Sequence, residues 1–125
     1  VAIATTITNK LSKRQRSLLN IAVKAAGASE LNQKHGAVVV KSGSVLSIGV
    51  NKKRNYDMVR AAKVYSKHFT VHAEIDALSR VADPAGATIY IARVNTDGEE
   101  RYSAPCENCA EALRKAEIKN IIYTI

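Results

Sequence analysis

From Gly36 to Lys41 the chain reads Gly-Ala-Val-Val-Val-Lys, a continuous apolar stretch of strand length. A strand that is apolar at successive positions is buried on both faces, so it needs cover on two sides. Ser42-Gly43 supplies a tight turn directly after it. Leu46, Ile48 and Val50 then alternate through Val45 to Val50, which makes the two runs a hairpin. A hairpin of this kind excludes an all-helical fold.

The rest of the chain supplies the cover. Leu11, Leu18, Ala22 and Ala25 recur at helical spacing and predict a helix over Lys10 to Ala26, with Gly27 as its stop and Lys13, Arg14, Arg16 and Lys24 on its wet side. Ile75, Leu78 and Ala82 predict a second helix over His72 to Ala82, broken by Asp83-Pro84-Ala85-Gly86. A third spans Cys106 to Ala116, with Pro105 where a missing N–H costs least. Ala87 to Ala92 and the Ile-rich Asn120 to Ile125 read as strands, and Asn95 to Ser103 as a loop around Asp97-Gly98. Asn51 to Thr70 is polar, basic and irregular, and a stretch so long inside a compact domain is functional or holds a short helix. The order α-β-β-α-β-α-β implies a mixed sheet with helices on its faces. Right-handed crossovers place the second and third helices on one face, with their N-termini close together.

With 125 residues, 46% hydrophobic and 24% charged, the chain is one domain, residues 1–125, and is neither disordered, collagen-like nor a coiled coil. No apolar run approaches the roughly 18 residues that span a bilayer, and Val1 to Lys10 lacks the charged-then-apolar order of a signal peptide. The expected setting is cytoplasmic, without a membrane partner. A net charge of +8 favours anionic partners, namely nucleotides, nucleic acid or acidic surfaces, or else serves solubility alone.

Two short motifs open the second and third helices: His72-Ala73-Glu74 and Pro105-Cys106-Glu107-Asn108-Cys109. His72, Cys106 and Cys109 form a nitrogen-and-two-sulfur set that suits Zn²⁺, and three protein ligands leave the fourth position open, as in catalytic sites. Cys106 and Cys109 lie i, i+3 on one helix face that Leu113 continues inward. The helix N-terminus is expected to lower the thiol pKa values. Glu74, two residues beyond His72, is placed to reach a water at the metal. Zinc lowers the pKa of such a water to about 7. A carboxylate that takes its proton and hands it to a ring nitrogen fits hydrolytic deamination of an amino-heterocycle. A lone Cys-x-x-Cys also fits thioredoxin-like redox chemistry, but that pair follows a strand near the start of a chain, and this one lies near the end. The combined pattern H-x-E…P-C-x-x-C is the known signature of zinc nucleobase deaminases.

On these residues the chain resembles the cytidine and deoxycytidylate deaminase superfamily, from about Leu18 to Tyr123. The likeness is carried by His35 to Val40, Ser47 to Asn51, Val71 to Glu74 and Pro105 to Ala110, with Ala87 to Ala92 as the strand before the cysteine helix. A His ligand resembles the deoxycytidylate, tRNA-adenosine and polynucleotide-editing branches, and most of all small deoxycytidylate-deaminase-like proteins of bacteria and phages. The resemblance implies an α/β fold, a three-layer α-β-α sandwich with a mixed central sheet of about five strands. It implies Zn²⁺ on His72, Cys106 and Cys109, and Glu74 as proton shuttle. Asn51 matches a substrate-contacting Asn, with capping of the loop as its other reading. Ala73 would offer its N–H to a pyrimidine carbonyl, Pro105 would set a nearby carbonyl against the leaving amino group, and Ser103 would line the pocket. Gly49-Val50-Asn51-Lys52 departs from the family's Gly-Tyr-Asn-Gly, and too few Cys and His remain for a second zinc. Arg101 and Tyr102 would meet a phosphate or a stacked base, and Arg54, Arg60, Lys63 and Lys67 a phosphate rim, unless these are merely solvated.

The function expected is zinc-dependent deamination of a cytosine nucleotide, dCMP to dUMP with release of ammonia, by a homo-oligomer in the cytoplasm (the host's, if phage-encoded). Leu11, Leu18 and the C-terminal strand are the expected source of apolar surface for assembly. Two alternatives stand beside it: an editing deaminase acting on single-stranded DNA, RNA or tRNA, and a non-catalytic, zinc-stabilised binding module. The first would need stacking aromatics, yet the chain has only six, Tyr56, Tyr65, Phe69, Tyr90, Tyr102 and Tyr123. The second leaves Glu74 without a use.

Overall fold

The computed structural model describes residues 4–7, 11–53 and 70–125. Arg54, Tyr56, Arg60, Lys63, Tyr65, Lys67, His68 and Phe69 lie outside the described residues. The elements in chain order are β1 (Ala4–Ile7), α1 (Lys13–Gly27), β2 (Lys34–Lys41), β3 (Ser44–Val50), β4 (Lys52–Lys53), β5 (Thr70–Val71), α2 (Ala73–Leu78), β6 (Thr88–Val94), β7 (Glu100–Arg101), α3 (Glu107–Lys115) and β8 (Asn120–Tyr123).

β2 and β3 pair antiparallel through a two-residue turn at Ser42-Gly43, both with positive φ (52° and 78°), the backbone that matches the twist of paired strands. The main sheet runs β1-β8-β6-β2-β3, and β7 pairs with the far end of β6. β1 and β6 flank β8 in parallel, and β2 pairs antiparallel with β6. The sheet is therefore mixed, and β1, unforeseen in the sequence, is its fifth strand.

Both faces of the apolar run are used. Ala37 and Val39 of β2 join Ile89 and Ile91 of β6 under Ala73 and Ala77 of α2 and Leu113 of α3. Val38 and Val40 join Tyr90 and Ala92 under Leu18, Leu19 and Ala22 of α1. α1 covers one face, α2 and α3 the other, which is the three-layer sandwich. Leu18, Ile121 and Ile122 are spent in this core and Leu11 is partly buried against it, so of the apolar surface expected from Leu11, Leu18 and the C-terminal run only Ile125 is exposed. The exposed large apolar side chains include Val45, Leu46 and Ile48 on β3 instead. No helix among the described residues is long and apolar enough to cross a membrane.

Helix ends differ from expectation for local reasons. α1 starts at Lys13 because Ser12 and Gln15 form a reciprocal capping box. It runs through Gly27, and Ala28 and Ser29 close it with bonds to Ala25 and Ala26 carbonyls. α2 stops at Leu78, where the Ser79 hydroxyl donates to the Asp76 carbonyl. The expected loop over Asn95 to Ser103 contains β7. The Asn95 side chain accepts from Asp97 and Glu99 N–H, and Gly98 takes φ 83°.

One carboxylate ties α2 to the hairpin. Asp76 accepts from Val50 N–H (3.1 Å), Lys52 (2.8 Å) and Arg80 (3.1 Å), and Arg80 also donates to the Ile48 carbonyl. These contacts blunt the free edge of β3. Burial pushes the Asp76 carboxyl up, but Lys52, Arg80 and the Val50 N–H together hold it below its usual value. The unfolded carboxyl takes its proton first, so this stability is present above pH about 4 and lost as pH falls through the lowered pKa. Asp76→Asn is expected to cost about 1–3 kcal/mol at pH 7, with the gap closing in acid. Urea denaturation of both proteins between pH 3 and 7 checks it, and parallel curves at all pH values would refute it.

Candidate active site

His72 is the N-cap of α2 and Cys106 the N-cap of α3; neither side chain makes a capping hydrogen bond. An ordinary cap there contributes about 1 kcal/mol, and both helices do without it to leave a ligand atom aimed between them. Cys109 stands at the third helical position of α3 and is buried, while Cys106 is exposed. The Cβ of an N-cap residue leans over this position, which brings the two sulfurs together. The short β4–β5 ladder, Lys52 opposite Val71, sets where His72 begins.

The donor atoms of His72, Cys106 and Cys109 all lie within 4.8 Å of one another. His72 Nδ1 is 3.2 Å from Cys109 Sγ and 3.7 Å from Cys106 Sγ. Tetrahedral zinc with Zn–S about 2.3 Å and Zn–N about 2.0–2.1 Å requires N···S edges of roughly 3.5 Å. The two distances bracket that value, so the residues fit the ion. Among the described residues the set ends at three ligands, leaving one position for water or substrate.

The electrostatics correct one expectation. The Cys109 thiol lies above its usual range, opposite to the lowering expected at a helix N-terminus. Burial pushes it far up, and the neighbouring Glu74 carboxylate adds to this. A divalent cation is what holds such a sulfur as thiolate. Glu74 itself is buried, 4% exposed, in the first turn of α2. A cavity of about 360 Å³ joins Glu74, His72, Ala73 and Cys106 to Asn51 and His35. Burial, then the charges of Arg93 and His72, lower His35 to about 4, so it presents a neutral imidazole at pH 7.

The family model for the zinc-binding region of cytidine and deoxycytidylate deaminases matches residues 12–125. The chain belongs to this family. It is a zinc-dependent deaminase, with His72, Cys106 and Cys109 positioned to bind the metal ion. Among solved structures, the dCMP deaminase of cyanophage S-TIM5 in apo form is 19% identical over 92% of this chain and 100% of that one, with a TM-score of 0.65. The same enzyme in complex with dCMP and dUMP gives 20%, 92%, 85% and 0.60. Cytidine deaminase from Mycobacterium leprae is 21% identical over 87% of each chain, TM-score 0.59. These likenesses establish the cytidine deaminase-like fold. Among curated proteins none matches the chain by sequence.

The other residues expected in the deaminase site fall in three groups. Asn51, Ala73 and Ser103 line the cavity; Pro105 and Arg101 do not; Arg54 lies outside the described residues. Asn51 is anchored at both ends of its amide, accepting from His35 N–H (2.8 Å) and donating to the Gln33 carbonyl (2.6 Å). One amide hydrogen and one lone pair remain for a ligand. The Ala73 N–H, at the first position of α2, has no partner within the helix. The Ser103 hydroxyl donates to the Ile91 carbonyl and accepts from Thr124. Pro105 stands just before the N-cap rather than inside the helix, and its neighbour Ala104 reaches the cavity. Tyr102 is exposed and meets Tyr123 edge to face at 5.8 Å. Leu31, Gln33 and Thr70 also line the cavity. Their sequence neighbourhood carries no motif, and the Gln33 carbonyl is tied to Asn51.

Proposed function

We propose that this deaminase acts on a free cytosine nucleotide, converting dCMP to dUMP with release of ammonia. The observation that carries it is a buried Glu74 beside a three-ligand metal set in a cavity of about 360 Å³. The likeness to a phage enzyme crystallised with dCMP and dUMP supports the choice of nucleotide.

Zinc, when bound, supplies the Lewis acidity that makes water nucleophilic near neutral pH. Glu74 takes one proton from the attacking water and delivers it to ring N3 as the O–C4 bond forms. The second water proton passes to the amino group, the C4–N bond breaks, and ammonia leaves. The Ala73 N–H holds the pyrimidine 2-carbonyl. Asn51 contacts the sugar with its remaining amide capacity. The Ser103-Ala104 segment faces the leaving group. Among the described residues Tyr102 is the only exposed aromatic. A free nucleotide also fits action in the cytoplasm.

The test is ammonia and dUMP release from dCMP by zinc-loaded protein, abolished by a chelator. Conversion of an oligonucleotide without action on monomers would replace this reading with the editing one. Bound zinc with no deamination of any pyrimidine or purine would leave the binding module. Self-association into a homo-oligomer belongs to the same reading, and a monomer at all concentrations in sedimentation would remove it.

A further inference from the structure

His35 of β2, Arg93 of β6 and Arg101 of β7 stand directly opposite one another across three strands. Residues so paired project to the same face of a sheet. Two residues on from His35 in β2 and two before Arg93 in β6, the paired Ala37 and Ile91 face α2 and α3, so with a period of two the row lies on the face of the active site. His35 lines the cavity, and Ser103 and Ala104, just beyond Arg101, line it too. The row therefore runs from the cavity outward as one half-buried imidazole and two guanidinium groups.

Like charges directly opposite in a ladder destabilise it, and little offsets this pair. Arg101 meets Glu99 at 3.7 Å, with both side chains exposed. Among the described residues no carboxylate pairs with Arg93. The backbone beneath the pair is fixed: the fully buried Thr124 hydroxyl accepts from Arg93 N–H (3.2 Å) and donates to the Arg101 carbonyl (2.6 Å). Two arginines at directly opposed positions on a rigid base suit an oxyanion that each guanidinium can bind through two N–H groups.

We propose that Arg93 and Arg101 form the anion subsite of this active site and take the phosphate monoester of the nucleotide whose base lies at Glu74. This rests on the deaminase reading and makes the phosphate a determinant of specificity.

The experiment uses zinc-loaded protein and two readouts. Arg93→Ala, Arg101→Ala and the charge-keeping Arg93→Lys are compared with the parent for kcat/KM on dCMP and on deoxycytidine. Calorimetric titration with dUMP and with deoxyuridine reads binding without turnover. Loss of a charge-assisted bond predicts a 10- to 100-fold fall in the preference for dCMP over deoxycytidine, carried by KM, and a like loss of dUMP affinity, about 1.4–2.8 kcal/mol each. Arg93→Lys should fall between parent and Arg93→Ala. An unchanged preference and unchanged dUMP affinity in both alanine variants would overturn the proposal, as would a parent that binds dUMP no better than deoxyuridine. If the parent binds dUMP through the arginines yet releases no ammonia, the subsite stands and the substrate reading fails.

Discussion

Replacing Glu74 by Gln is expected to cut turnover about 10³-fold while zinc content and fold stay as in the parent. The reason is positional. Glu74 is buried at the second position of α2, two residues from one ligand and next to another, Cys109. It is not a member of the ligand set. The amide is isosteric, so packing is kept, but it neither takes the proton from water nor returns one to the ring. Glu74→Ala should lose the same chemistry and add a small void. Metal analysis, circular dichroism and single-turnover assays on the same preparations check the outcome. A Gln variant that keeps a tenth or more of the parental turnover would remove Glu74 from the mechanism.

The second large effect is expected at Gly49. A Cβ there would stand 2.5 Å from Ala77 N and closer still to the Ala73 carbonyl, far inside any real contact. Both neighbours are backbone of α2, which has no flexible end to give way. Gly49→Ala should therefore push α2 off the sheet and cost about 3 kcal/mol or more, the upper end of overpacking. Because α2 carries Glu74 and opens at His72, zinc affinity and turnover should fall with stability. Gly36 provides the control. Its added Cβ would meet Ala22 and Ala26 of α1 on the opposite face. Gly36→Ala should destabilise similarly while the molecules still folded hold zinc and turn over. Urea unfolding with zinc content and kcat, measured below the unfolding range, distinguishes the two. Parental stability and turnover in Gly49→Ala would show that α2 is not held where the site needs it.

Much of this was legible along the chain because the information is local. The hairpin follows from a doubly apolar run, a Ser-Gly turn and an alternating run. The ligand types follow from residue chemistry, while the cysteine pair, read as i, i+3 within one helix, turns out to be the extended N-cap Cys106 and the third helical residue Cys109. Asp76 was not legible. On the sequence it is one more acid near a helix start, and its role depends on Val50, Lys52 and Arg80 arriving beside it. Cys109 departs from the lowering expected of it for a related reason: helix position is local, but burial and the approach of Glu74 to Cys109 are not.

By itself the sequence determined the hairpin, the helical stripes and the nitrogen-and-sulfur set with its attendant carboxylate. The hairpin, the stripes, the His-x-Glu pair and the Cys-x-x-Cys pair are each written in residues a few positions apart, and the two pairs meet only in the fold. Only the tertiary structure decided that β1 extends the sheet beside β8, that Gly36 and Gly49 admit helices on opposite faces, and that Arg93 and Arg101 share a row with His35. Those relations arise from strand pairing and layer packing between distant segments, and no spacing along the chain encodes them.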